Sequence, residues 1–223
     1  MINKFNKFLD NLVGKSSSEK EMNEGDRRMN EIGIDKYNSE IAELWKKVVS
    51  YERNERELKL FLKYSRINKN SEILSLGSGL GVFEAFLTKE VCRTGKIACL
   101  DISKEMSKEV LKIKKQLDLK NMKVIVSSAT CIKLRKNSFD IVLGRRTGLS
   151  MKREWLLVLK EVYKLIKKNE SSRFIYTVNS KLLGSREKVE AQLDKFGFKL
   201  IKIDYFYEKD GTRIAMVVGG VKW

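Results

Sequence analysis

Gly77, Ser78, Gly79 and Gly81 sit between a short apolar run, Ile73, Leu74 and Leu76, and a second set, Val82, Phe83, Phe86 and Leu87, that recurs at helical spacing. Such an order describes a buried strand, a glycine turn and the start of a helix. Glycine there permits positive φ and lets a ligand approach where a Cβ would collide, while the unpaired N–H groups of a new helix seat an anionic group. Asp101 ends the next apolar run, Ile97 to Leu100, at the separation by which a strand-helix-strand unit returns a side chain beside the first turn. A carboxylate so placed can accept hydrogen bonds from the vicinal hydroxyls of a ribose. The competing reading has Asp101 capping a helix that begins near Ser103. Gly144, Arg145 and Arg146 close a further apolar run, at the kind of strand end where open α/β sheets place ligands. One of these arginines can grip an anionic substrate group bidentately, or pair with an acid on the helices that precede the first strand.

Absences narrow the chemistry further. The chain has no histidine, which excludes a histidine base, a Ser-His-Asp triad and the commonest metal ligand. A proton leaving an acceptor must therefore go to Asp, Glu, Tyr, Lys or water. Cys92, Cys99 and Cys131 show no C-x-x-C spacing, so neither a disulfide framework nor a zinc site is expected and the thiols read as reduced and mostly buried. The net charge of +17 invites a polyanionic partner such as RNA. Against that, the lysines are spread along the chain without interleaved aromatics, as solvated helix faces would have them.

The elements that must position these groups can be read in order. Residues 2–13 carry Phe5, Phe8, Leu9 and Leu12 on one face of an amphipathic helix, whose roles are to lie on a membrane, bind a partner or fold back over the core. Folding back is the expectation. Residues 14–26 read as a polar linker. Ile34, Tyr37, Ile41, Leu44, Trp45 and Val48 form a second helical stripe, and Leu58, Leu60, Phe61, Leu62 and Ile67 suggest a third. After the glycine turn the pattern predicts helices over 104–119, 150–168 and 185–196, strands over 123–126, 137–144 and 172–178, and a closing hairpin over 198–207 and 212–219 about a turn at 209–211. At 223 residues this is one α/β core, 71–223, behind a helical extension, 1–70. No apolar run has membrane-spanning length and no secretory signal opens the chain, so a soluble, cytoplasmic protein is expected.

The stretch from Glu72 to Leu87 resembles motif I of the class I S-adenosylmethionine (SAM) dependent methyltransferases, an acidic or small residue followed by G-x-G-x-G. A dinucleotide dehydrogenase needs a small residue where Val82 stands. The phrase Ser138-Phe139-Asp140-Ile141-Val142 and the final hairpin are similar to the same family, whose fold is a Rossmann-like sheet of seven strands, mostly parallel with a C-terminal antiparallel hairpin, flanked by helices. The resemblance implies SAM as cofactor, its amino-acid part in the turn of Gly77, Ser78, Gly79 and Gly81, its ribose on Asp101, and its adenine between Ile102 and Ala129, near Gly144. Ser128 stands where many members place an acid that reads the adenine amino group; a hydroxyl accepts more weakly, and the backbone of Ala129 and Thr130 serves beside it. Tyr37 and Trp45, on helices ahead of motif I, are placed to cap the pocket and face substrate, or to pack in the core. The Asn/Asp-Pro-Pro-Tyr/Phe loop of amino-group methyltransferases and the Pro-Cys element of cytosine carbon-5 enzymes cannot exist without proline. What the resemblance implies is methyl transfer to a small-molecule or protein acceptor; RNA methylation and a non-catalytic binding module stand as alternatives.

Overall fold

Short runs rich in Ile, Val and Leu become strands because alternate side chains can be buried on both faces of a sheet covered by helices. The computed structural model describes residues 1–13, 51–145, 154–208 and 211–222. Strands β1 (Glu72–Leu76), β2 (Lys96–Asp101), β3 (Met122–Val126), β4 (Ile141–Arg145), β5 (Arg173–Asn179), β6 (Phe198–Tyr207) and β7 (Arg213–Val221) form one sheet in the order β3-β2-β1-β4-β5-β7-β6. Only β7 runs against its neighbours, β5 and β6. The chain winds outward from β1 to β3 and returns to the other side of β1 at β4. That reversal is a switch point at the carboxyl ends of β1 and β4, where open α/β sheets form their ligand crevice and where Leu76 is level with Leu100 and Gly144.

Helices α1 (Ile2–Val13), α2 (Tyr51–Ser65), α3 (Val82–Phe86), α4 (Lys104–Gln116), α5 (Glu154–Leu165), α6 (Ser180–Leu183) and α7 (Arg186–Lys195) complete the described elements, with α3 widening into a π turn at Leu87–Val91. One face of the sheet, with Ile73, Cys99, Leu143 and Ile175, is covered by α1, α2, α3 and α4. The other, with Leu74, Leu100, Val142 and Phe174, is covered by α5 and α7. The apolar side of α1 does fold over the core. Phe5 meets Phe86 edge to face at 4.6 Å between centroids, Phe8 meets Phe86 at 5.6 Å, and Phe61 of α2 meets Phe83 at 5.5 Å.

Several boundaries differ from the expectation. Helix α4 stops at Gln116 rather than 119, because Asp118 takes a left-handed φ of 49° that ends the helical path. The four-residue α6 was not foreseen; Asn179 starts it by accepting the Lys181 N–H on its side-chain oxygen. Asp140 lies at the amino end of the sheet, away from the crevice, where it accepts the Glu72 N–H at 2.8 Å and the Lys167 ammonium at 2.9 Å. Tyr37, Trp45, the 14–26 linker, Arg146, Lys209 and Asp210 lie outside the described residues. Cys92 and Cys99 are buried and Cys131 is exposed, all three free thiols, and burial pushes the Cys92 thiol up to about 11. Among the described residues no helix is long and apolar enough to cross a membrane.

Candidate active site

Gly77, Gly79 and Gly81 all have left-handed φ, of 62°, 54° and 69°. L-residues pay roughly 1–2 kcal/mol to adopt that conformation, so the turn selects glycine by backbone shape. The positions differ in what surrounds them. A Cβ on Gly81 would lie 2.8 Å from Val110 Cγ2, so this glycine lets α4 pack tightly beside the turn. A Cβ on Gly79 would meet nothing within 4 Å, so its outer side is open to an approaching molecule. Just before Gly79, the Ser78 N–H donates to the Leu100 carbonyl at 3.1 Å, tying the turn to β2.

That tie brings Asp101 against the turn. Its Oδ2 accepts the Gly79 N–H and its Oδ1 accepts the Ser103 N–H, each at 2.9 Å. Ser103, not Asp101, caps α4, its hydroxyl accepting the Met106 N–H. Burial raises the Asp101 carboxyl above its ordinary value, against the lowering pull of the Ser103, Gly79 and Ile102 N–H groups. Ile102 is 55% exposed although it follows a buried strand. The Asp101 carbonyl accepts the Ser127 N–H, which holds the turn after β3 against β2. Within that turn Ser128 and Thr130 share a hydroxyl hydrogen bond of 2.8 Å, the Thr130 N–H donates to Ser128 Oγ, and Ala129 is buried. Gly77, Ser78, Gly79, Gly81, Asp101, Ile102 and the Ser128–Ala129–Thr130 turn are thus gathered along the tips of β1, β2 and β3. Gly144 lies in β4 beside Leu76 and Tyr176.

The tip of β4 is occupied differently. Arg145 Nε and Nη2 both donate to Glu57 Oε2 of α2, at 3.1 and 2.6 Å, and the guanidinium lies 4.2 Å from the centre of the Phe83 ring. Glu57 Oε1 accepts the Thr177 hydroxyl at 2.9 Å. Of the two readings for Arg145, the ion pair is the one seen, and the guanidinium is committed to the protein rather than open to a substrate anion. Below, Ser75 donates to Glu84 Oε1 at 2.7 Å. The composition of this network was not foreseen. Glu57 shares a helical stripe with Phe61, and Glu84 stands inside the apolar run Val-Phe-Glu-Ala-Phe. An acid on a core stripe is the signal that could have found both.

SAM suits these residues on structural grounds. The open side of Gly79 leaves room at the backbone, and Ser78 Oγ is buried beside it with no hydrogen-bond partner among the described residues. An exposed Ile102 next to a two-oxygen acceptor offers an apolar face and hydroxyl-binding lone pairs together.

Comparisons with known proteins agree with that geometry. Residues 73–169 match the methyltransferase domain family. A demethylmenaquinone methyltransferase of Oceanobacillus iheyensis is 28% identical over 141 residues, 63% of this chain and 58% of the relative, so the alignment spans less than two thirds of that protein. The crystal structure of a SAM-dependent methyltransferase from Aquifex aeolicus superposes with a TM-score of 0.65 at 20% identity, over 83% of this chain and 100% of the other. The 4+2 cyclase SpnF superposes equally well, with a TM-score of 0.65 at 11% identity over 78% of this chain and 83% of its own. At such identities the solved structures attest the fold alone. Residues 73–169 thus resemble a methyltransferase domain, and the sheet that carries the glycine turn and Asp101 has the fold of SAM-dependent methyltransferases.

Proposed function

We propose that this protein transfers the methyl group of SAM to a small-molecule acceptor in the cytoplasm. The observation that carries the reading is the Asp101 carboxylate at the tip of β2, bonded to the Gly79 N–H across a turn whose outer side is open. When bound, the cofactor supplies a methyl group made electrophilic by its sulfonium. The protein's own residues bind and align. The Ser78 hydroxyl and the open side of Gly79 hold the amino-acid end. Asp101, each of whose oxygens keeps a lone pair beyond its backbone partner, accepts the ribose hydroxyls. Ile102 and Ala129 flank the adenine, and Ser128 with Thr130 meets its edge. Holding acceptor and methyl in line while excluding water is where the rate gain arises.

For the acceptor, the curated relative's name points to a quinone-derived ring, and an electron-rich quinol is the class we assign first. Calorimetry tests the cofactor assignment: Asp101→Asn should weaken SAM about ten- to a hundredfold, the value of a hydrogen bond to a charged group. It should also lower the unfolding midpoint, because its NH2 replaces an oxygen that accepts the Gly79 or Ser103 N–H, so affinity is read on the folded protein. Unaltered affinity removes Asp101 from the site. Transfer of label from SAM to a soluble naphthoquinol tests the acceptor, and label appearing in none of the quinols offered rejects that class. The net charge of +17 favours a second reading, RNA as acceptor. A steep fall of RNA affinity with salt supports it and a shallow one removes it.

A further inference from the structure

We infer that Glu84 is a proton-holding carboxyl that ionises when a cationic ligand enters the glycine turn, so that cofactor binding releases a proton. The inference rests on SAM being the ligand. It begins with an accounting of buried charge on one face of the sheet. Glu57 and Glu84 are each 1% exposed, and the guanidinium that faces both is Arg145. Arg145 gives two hydrogen bonds to Glu57, and Thr177 gives that carboxylate another. Glu57 is therefore the acid held ionised. Glu84 receives only the Ser75 hydroxyl on Oε1, while Oε2 is buried with no hydrogen-bond partner among the described residues.

An ionised carboxylate with one oxygen so isolated carries the full cost of lost hydration, and a group in that position neutralises instead. The groups facing it agree in sign. Burial pushes the Glu84 carboxyl above the ordinary value, Arg145 and the Ser75 hydroxyl pull it back, and Glu57 pushes it up again. From β2, the Cys99 thiol is held up by burial and stays neutral, so it adds no charge beside Glu84. A second positive charge is what the cluster lacks. Ser75, which holds Glu84, stands two residues before Gly77, and Glu84 itself lies in the helix that starts after Gly81, so their hydrogen bond ties together the two segments that flank the turn. A cation seated in that turn favours the ionised form, and the proton leaves to solvent. SAM has two cationic groups, its sulfonium and its α-ammonium; its demethylated product, S-adenosylhomocysteine, keeps only the ammonium.

The linkage has a definite direction. An acid raised in the free protein and lowered in the complex makes binding tighten as pH rises between those two values, by up to about tenfold per pH unit for one proton. Calorimetry of the full chain in buffers of different ionisation enthalpy counts the protons. Release with SAM but not with S-adenosylhomocysteine supports the inference with the sulfonium as the cation; equal release supports it with the ammonium. Glu84→Gln should bind SAM with no proton from this site and a flatter pH profile. Release undiminished in Glu84→Gln assigns the proton elsewhere, Asp101 on the turn being a candidate, and overturns the inference. Infrared difference spectra of the wild type need no variant: SAM should convert a carboxylic-acid carbonyl band into a carboxylate band. SAM binding without that conversion overturns the Glu84 assignment and leaves the methyltransferase reading intact, whereas a chain that fails to bind SAM overturns both.

Discussion

The two faces of the sheet are built from opposite materials. Against α5 and α7, Trp155, Phe174, Tyr176 and Phe198 stack ring on ring, with Phe174 at 5.9, 5.4 and 5.7 Å from the other three. Against α1, α2 and α3 the core admits Ser75, Glu84, Glu57, Arg145 and Thr177 among its phenylalanines. Apolar packing is non-directional and tolerates no special chemistry, so the first arrangement serves as scaffold. Buried ions cost stability unless paired, so their concentration on the face that supports the glycine turn marks where the fold accepts a cost for specificity of charge and position.

Removing an aromatic ring from the apolar face should have the largest effect of any single change. Phe174→Ala deletes a side chain 1% exposed and should cost about 3–5 kcal/mol of unfolding free energy. Urea titration reads this as a lowered midpoint, and SAM affinity measured on the remaining folded protein should not move. A large loss of affinity there would mean the two faces are not separable. On the charged face Glu57→Ala should cost about 3 kcal/mol, because it leaves the Arg145 guanidinium without its carboxylate. Replacing both, Glu57→Met with Arg145→Met, should recover much of that loss, since paired apolar groups need no compensation. A double variant less stable than the single would show that the ion pair itself, rather than its disruption, carries the energy.

How far each face can be read from residues alone follows from the same contrast. Strand and helix order is legible because burial imposes periods of two and of three to four on apolar residues, as in Ile73-Leu74-Ser75-Leu76 and in Phe83, Phe86 and Leu87. The glycine turn and Asp101 are legible because backbone shape and strand spacing restrict residue type locally. The charge network is not, because its partners are remote: Arg145 and Glu57 are 88 residues apart, and Thr177 reaches Glu57 across 120. Their pairing depends on which helix lies over which strand, which no local pattern encodes. Glu84 is marked in the sequence as an acid inside an apolar run, but its depth is not. In an isolated helix an acid between Phe83 and Ala85 would turn to solvent, whereas here every residue of α3 is buried. Asp118 shows a smaller limit, since only its left-handed φ reveals why α4 ends early.

The smallest expected effect on stability separates the two uses of glycine within the turn itself. Gly79→Ala should cost about 1 kcal/mol, the left-handed strain alone, because an added Cβ meets no protein atom within 4 Å. Gly81→Ala should cost visibly more, since its Cβ would press on Val110 Cγ2 at 2.8 Å, and Val110→Ala in the same chain should relieve part of the excess. Cofactor affinity should rank the pair the other way. If the open side of Gly79 is where SAM lies, the methyl of Gly79→Ala projects into the ligand and affinity falls by more than the stability change, whereas the strain at Gly81 is relieved within the protein. Equal affinity for SAM in Gly79→Ala and wild type would mean that the open space beside Gly79 faces solvent, and that the cofactor's amino-acid end lies elsewhere.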